Sequence, residues 1–232
     1  NEYVVNILKT LPIVIYLERP TKYLNEEHIS NIASSKGSSI NNLIKYRIPI
    51  YESCCSHIYN ISEKNINNYR FIKWFNGIYN PFQYKKNTHF FSFSVDNIDK
   101  HIEQLKKDCS YHCIDAVELR ADLFSDHSIE YIKTQIISLQ SITQKPIIFT
   151  YRSIDEGGNG ILYNMYGIIE LAIKMGCICI DIELSNNKKI INKKHASIIA
   201  SSHIDDITII TKNLLEADNY ISLDHLKLVI NE

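Results

Sequence analysis

Ala116-Val117-Glu118-Leu119-Arg120-Ala121-Asp122 decides how the rest of this chain is read. Its apolar residues suit a buried strand, and its polar residues stand two apart, so a period of two brings Glu118, Arg120 and Asp122 to one face. The same design returns in Pro146-Ile147-Ile148-Phe149-Thr150-Tyr151-Arg152 and in Ile178-Cys179-Ile180-Asp181-Ile182-Glu183. A fourth run, Ser197-Ile198-Ile199-Ala200-Ser201-Ser202-His203, ends on histidine, and a fifth, Leu223-Asp224-His225-Leu226-Lys227-Leu228-Val229-Ile230, carries a lysine in its middle. Phe90-Phe91-Ser92-Phe93-Ser94 precedes them all. Helical stretches lie between, at Ile98 to Lys106, Ser128 to Leu139 and Leu162 to Met175. Strands alternating with helices predict a parallel α/β sheet or barrel. In such a barrel, chemistry gathers at the C-terminal ends of the strands, where the charged residues of this chain recur.

Lys227 has two readings. A lysine on an edge strand can snorkel its ammonium to water. An amine kept in an apolar setting instead loses its proton more readily, and a neutral amine attacks ketones. The strand-end histidine and acids upstream favour the second.

Composition narrows the alternatives. With 232 residues, 45% hydrophobic and 22% charged, the chain can bury one large core or two modest ones. A net charge of -1 leaves no basic footprint for nucleic acid or an anionic membrane. Cys54, Cys55, Cys109, Cys113, Cys177 and Cys179 show neither paired C-x-x-C spacing nor a disulfide framework, and read as reduced core thiols. The histidines form no H-x-x-x-H or H-E-x-x-H pattern, so no metal site is expected. No secretory segment or apolar stretch of spanning length is visible, and a soluble cytoplasmic protein is expected.

Taken in order, Glu118-x-Arg120-x-Asp122, Thr150-x-Arg152 followed by Glu156-Gly157-Gly158, Asp181-x-Glu183, the strand ending in His203, and Asp224-x-x-Lys227 resemble type I 3-dehydroquinate dehydratase over about residues 87 to 232. The resemblance implies an eight-stranded (β/α) barrel of which about six strands are present. It makes Lys227 the imine-forming amine, His203 the general base and acid, and Glu156 the carboxylate that orients His203. Glu118, Arg120 and Arg152 would bind the substrate, the alternative for Glu118 and Arg120 being a buried ion pair that only fixes the barrel. For Asp122, Asp181 and Glu183 a structural role has at least equal weight. The family's dehydratase uses no cofactor. Departures from its pattern are Ile204 after His203, a shortened interval from His203 to Lys227, and His225 two residues before Lys227.

Residues 1 to 62 differ in character. A strand at Ile13-Val14-Ile15-Tyr16-Leu17 leads through a Ser-rich stretch, Ser34 to Ser39, to Arg47-x-Pro49-x-Tyr51-Glu52 and a predicted helix around Tyr51 to His57. This resembles the C-terminal end of shikimate kinase, a P-loop-kinase-like α/β domain, where such an arginine contacts the shikimate carboxylate. A helix-starting arginine in a solvated ion pair is the alternative for Arg47. The phosphate-cradling glycine-rich loop is absent, so ATP and Mg²⁺ would belong to a complete kinase domain only. Ala33 stands where the lid arginine is expected. Residues 63–86 read as a connecting segment. A kinase end joined to a dehydratase start is the arrangement of the fungal pentafunctional AROM polypeptides. That resemblance implies further enzyme domains in the same polypeptide, a small-molecule substrate, and a homodimer as the candidate assembly. Asn1 at the start and a strand running to Glu232 are expected of an excerpt, inactive by itself because an open barrel leaves strand edges bare. Another Schiff-base aldolase-type barrel, or an inactive pseudoenzyme, are the competing readings.

Overall fold

Six of the apolar runs assemble into one sheet, all parallel and in the order of the chain. The strands are β3 (Phe90–Phe93), β4 (Ala116–Arg120), β5 (Ile147–Thr150), β6 (Cys179–Glu183), β7 (Ser197–Ser202) and β8 (His225–Leu228). They are seen in a computed structural model that describes residues 2–20, 40–61, 67–79, 88–183, 196–202 and 225–228. The predicted parallel α/β architecture is therefore present. Parallel neighbours need a crossover, and three helices that follow strands of this sheet are α4 (Ile102–Cys109), α5 (Ile129–Ile142) and α6 (Met165–Lys174).

The core lies between sheet and helices. Ile132, Ile136 and Leu139 are fully buried along α5, spaced to fall on one helical stripe. Met165, Ile168 and Ala172 do the same on α6, which packs against α5. Each such Ile, Leu or Met side chain contributes about 1.5–3 kcal/mol relative to exposure. Ser128 begins α5 by accepting the Tyr131 N–H at 3.3 Å. Gln135, buried on the same helix, accepts the Ile98 N–H at 2.6 Å and ties the segment after β3 to α5. Lys145 closes the other end, donating to the carbonyls of Ile114 at 2.6 Å and Tyr111 at 3.2 Å.

The chain divides into two compact units, Asn1–Ile72 and Lys73–Glu232. In the first, α1 (Glu2–Thr10) precedes β1 (Ile15–Glu18), which pairs in parallel with β2 (His57–Asn60). Between those strands lies α2 (Ile40–Cys54). The helix predicted around Tyr51 to His57 thus stops earlier, and His57 opens a strand. Ser56 explains the switch, because its hydroxyl accepts the Val14 N–H at 2.8 Å and donates to the Val14 carbonyl at 3.0 Å, setting the chain extended beside β1.

The segment read as a connection contains α3 (Asn68–Tyr79). Asn67 caps it, accepting the Arg70 N–H at 3.1 Å. Within the second unit, Trp74 Nε1 donates to the Met175 carbonyl at 3.1 Å and Ile78 is buried. That carbonyl also receives Gln140 Nε2 at 2.6 Å. Of the six cysteines, none is disulfide-bonded. Cys113 is exposed, a correction to its reading as a core thiol.

Candidate active site

Strand register builds the site. Arg120 is paired with Thr150, Thr150 with Asp181, Glu183 with Ser201, and Ser201 with Lys227. Residues at one register level of a sheet share a face, and so do residues two apart. Glu118, Arg120, Thr150, Asp181, Glu183 and Ser201 therefore lie along one face, towards the C-terminal ends of β4 to β7. Lys227 continues that line on β8.

The polar groups satisfy one another across the strands. Thr150 Oγ1 donates to Glu118 Oε1 at 2.8 Å. Ser201 Oγ donates to Asp181 Oδ1 at 2.6 Å, both residues being buried. Arg120 forks onto Asp122, with Nε to Oδ1 at 2.9 Å and Nη2 to Oδ2 at 2.7 Å. Asp122 sits in the short 3₁₀ turn Ala121–Leu123 beyond β4 and is completely buried. The guanidinium pKa is raised above its usual value by the hydrogen bonds it donates to Asp122, with the charges of Asp122, Glu118 and Asp181 adding to it against desolvation. The structural ion pair foreseen between Glu118 and Arg120 is thus carried by Asp122. A charge-assisted bidentate pair of this kind fixes the guanidinium plane.

Arg152 and Glu156 stand on the loop that leaves β5. The Glu156 carboxylate accepts the Ser153 N–H through Oε2 at 2.8 Å and so orders the 3₁₀ turn Ile154–Glu156. The loop then folds back on itself, with the Gly158 N–H donating to the Ser153 carbonyl and the Gly160 N–H to the Arg152 carbonyl, each at 2.8 Å. A Cβ on Gly160 would stand 2.6 Å from the Arg152 carbonyl oxygen and 2.7 Å from Tyr151 Cε1, so the close return requires glycine. Tyr151 is buried beneath this return. Its hydroxyl accepts the Ile161 N–H at 2.9 Å and lies 2.8 Å from His127 Nδ1.

Arg47 is half-buried on α2, in the first unit. His203, Ile204 and Ala33 lie outside the described residues. Sequence reasoning gave no role to Thr150 or Ser201, though both stand at the right period on their strands. It missed His127 and Tyr151 entirely, since their contact joins two loops. Among the described residues, no three His, Cys, Asp or Glu side chains gather as a metal site. Nor is any helix among them long and apolar enough to cross a membrane.

A parallel α/β sheet with acids and a fixed guanidinium at its strand ends is the layout of a barrel enzyme with its site at the C-terminal face. The chain belongs to the type I 3-dehydroquinase family, a family of lyases, whose model matches residues 89–229. A pentafunctional AROM polypeptide of Clavispora lusitaniae is 32% identical over 118 residues, covering 48% of this chain and 7% of that protein. The one from Schizosaccharomyces pombe is 28% identical over 233 residues, covering 85% of this chain and 14% of its own length. The chain therefore spans a small part of these relatives. Among solved structures, the dehydroquinate dehydratase and shikimate dehydrogenase of S. pombe AROM superposes with a TM-score of 0.55 at 25% identity, over 64% of this chain and 31% of that one. Type I 3-dehydroquinate dehydratase from Clostridium difficile has a TM-score of 0.52 at 22% identity, covering 61% and 62%, a likeness of fold.

Proposed function

We propose that the barrel part of this chain, residues 87–232, dehydrates 3-dehydroquinate to 3-dehydroshikimate through an imine on Lys227. The observation that carries the reading is the register that sets Lys227 opposite Ser201, in line with Glu118, Arg120, Thr150, Asp181 and Glu183. In the proposed reaction the neutral amine attacks the ketone carbon and the carbonyl oxygen leaves as water. The imine draws electrons from the adjacent carbon, His203 removes a proton there, and the hydroxyl one carbon further leaves as water with a proton returned by His203. Hydrolysis of the imine restores the ketone and frees Lys227, so one water is lost overall. No cofactor is needed. Glu156 orients His203, and its own anchoring by the Ser153 N–H supports a fixed carboxylate. Glu118, Arg120 and Arg152 hold the substrate's hydroxyls and charge. The fork of Asp122 on Arg120 supports a guanidinium presented in one orientation.

Residues 1–62 are the C-terminal part of a shikimate-kinase-like domain and 63–86 the connection, within an AROM-type cytoplasmic polypeptide that assembles as a homodimer. The parallel β1–β2 pair and the reach of the S. pombe alignment over 85% of the chain support this reading. Arg47 would meet the shikimate carboxylate, with ATP and Mg²⁺ held elsewhere in the complete kinase.

Borohydride tests the mechanism, because it converts an imine to a stable amine. The full-length protein treated with 3-dehydroquinate and sodium borohydride should carry its adduct on the peptide containing Lys227. Lys227→Ala should abolish adduct and dehydration together. His203→Ala should keep the adduct and slow turnover about 10²–10⁴-fold. An active protein with Lys227 unmodified would sink the mechanism and leave an aldolase-type or other barrel chemistry. An inactive protein would leave the pseudoenzyme.

A further inference from the structure

We propose that His127 and Tyr151 are positioning residues, a two-side-chain latch that holds the loops after β4 and β5 in register with each other; the proposal rests on the dehydratase reading above. The loop after β4 carries Asp122, which fixes Arg120, and five residues later His127. The loop after β5 carries Arg152 and Glu156. Tyr151 stands between Thr150, which bonds Glu118, and Arg152, and is itself buried. Its ring lies under Gly160, edge-on to the His127 imidazole with centroids 5.6 Å apart.

Two hydrogen bonds on one phenol oxygen make the latch. The Ile161 N–H can only donate, so the Tyr151 oxygen accepts it. The same oxygen is bonded to His127 Nδ1 at 2.8 Å, the imidazole tautomer deciding which of the two donates. Burial raises the Tyr151 pKa above its usual value, against the Ile161 hydrogen bond, which keeps the phenol protonated. The chain of bonds Ile161 N–H to Tyr151 to His127 spans both loops. It clamps the far end of the segment whose near end carries Arg152, and between those ends lies Glu156. A buried phenol could stay satisfied with the Ile161 bond and one local partner. Reaching across to a different loop is what couples the placement of Arg152 and Glu156 to that of Arg120.

Three variants of the full-length protein test the latch, with amide exchange read separately from turnover. Tyr151→Phe keeps the ring under Gly160 and deletes the hydroxyl. His127→Leu deletes the imidazole partner, and His127→Asn offers a side-chain amide, able to accept or donate, close to where Nδ1 stood. The Ile161 amide should exchange faster in Tyr151→Phe, while amides within α5 stay as protected as before. In both Tyr151→Phe and His127→Leu, kcat for 3-dehydroquinate should fall about ten- to a hundredfold, the scale of a misplaced catalytic constellation. His127→Asn should recover most of that loss. Unchanged Ile161 exchange in Tyr151→Phe overturns the latch. So does unchanged kcat alongside faster exchange, or a turnover loss that follows melting temperature and is not recovered by His127→Asn. If the unsubstituted protein does not dehydrate 3-dehydroquinate, the reaction fails first and the positioning role fails with it. That outcome is visible before any substitution is made.

Discussion

Single residues divide by how far their partners lie in sequence. Glu118, Arg120, Asp181 and Glu183 were legible because alternation along a strand predicts a face without knowledge of the neighbours. Asp122 was harder to read. It follows the strand at the same spacing, yet the chain turns at Ala121, and its carboxylate closes back on Arg120 instead of extending the row. The latch of Tyr151 and His127 left no local signal, because nothing periodic relates two loops. Cysteines show the same limit. Cys109 and Cys113 are four apart, as if on one helical face, but α4 ends at Cys109 and Cys113 falls in an exposed turn. Their reactivities should separate accordingly. Burial drives the Cys177 thiol far above the usual thiol range, and the charge of Cys179 adds to that. A folded-state pKa above the unfolded one means that the folded protein keeps a proton the unfolded chain loses. Stability from the neutral thiol is thus full below about pH 8.5 and declines as pH climbs past the unfolded value. At neutral pH, iodoacetamide should label Cys113 first and leave Cys177 untouched until denaturant is added, as read by peptide mass spectrometry. Equal rates at the two sites would contradict the burial.

At the level of elements, existence was easier to read than edges. The six strands of the large sheet fall where apolar runs predicted them, the central ones because parallel strands buried on both faces need such runs. The helix expected around Tyr51 to His57 was misplaced for a reason that sequence does not display, namely the pull of Ser56 onto Val14 from 42 residues away. The turn that ends α6 illustrates how much a single backbone position can decide. Gly176 has φ +85°, a Cβ there would meet Trp74 Nε1, and the neighbouring Met175 carbonyl receives both Trp74 and Gln140. Gly176→Ala would meet a left-handed backbone and an occupied space together. It should lower stability by about 1–3 kcal/mol in urea unfolding. An unchanged midpoint would mean that α3 is not held against this turn.

For the whole molecule, the useful reporter is Trp74, the chain's one tryptophan, which belongs to the second compact unit. Its emission should follow unfolding of that unit. Leu139→Ala, emptying a fully buried position, should move the transition by about 2–5 kcal/mol. Tyr51→Ala, which removes the ring contact with Tyr16 in the first unit, should leave it in place. A shift of equal size from both substitutions would merge the two units into one cooperative block. The second unit also has a spatial order identical to its chain order, from β3 through β8 without a crossing. Synthesis proceeds from the N-terminus, so each strand emerging from the ribosome finds its partner already made. Glu118 meets Thr150 when the next strand arrives, and Asp181 meets Ser201 in the same way. The acids bonded across these strands are therefore matched during translation, and residue 227 is delivered after them, beside a serine that already has an acceptor.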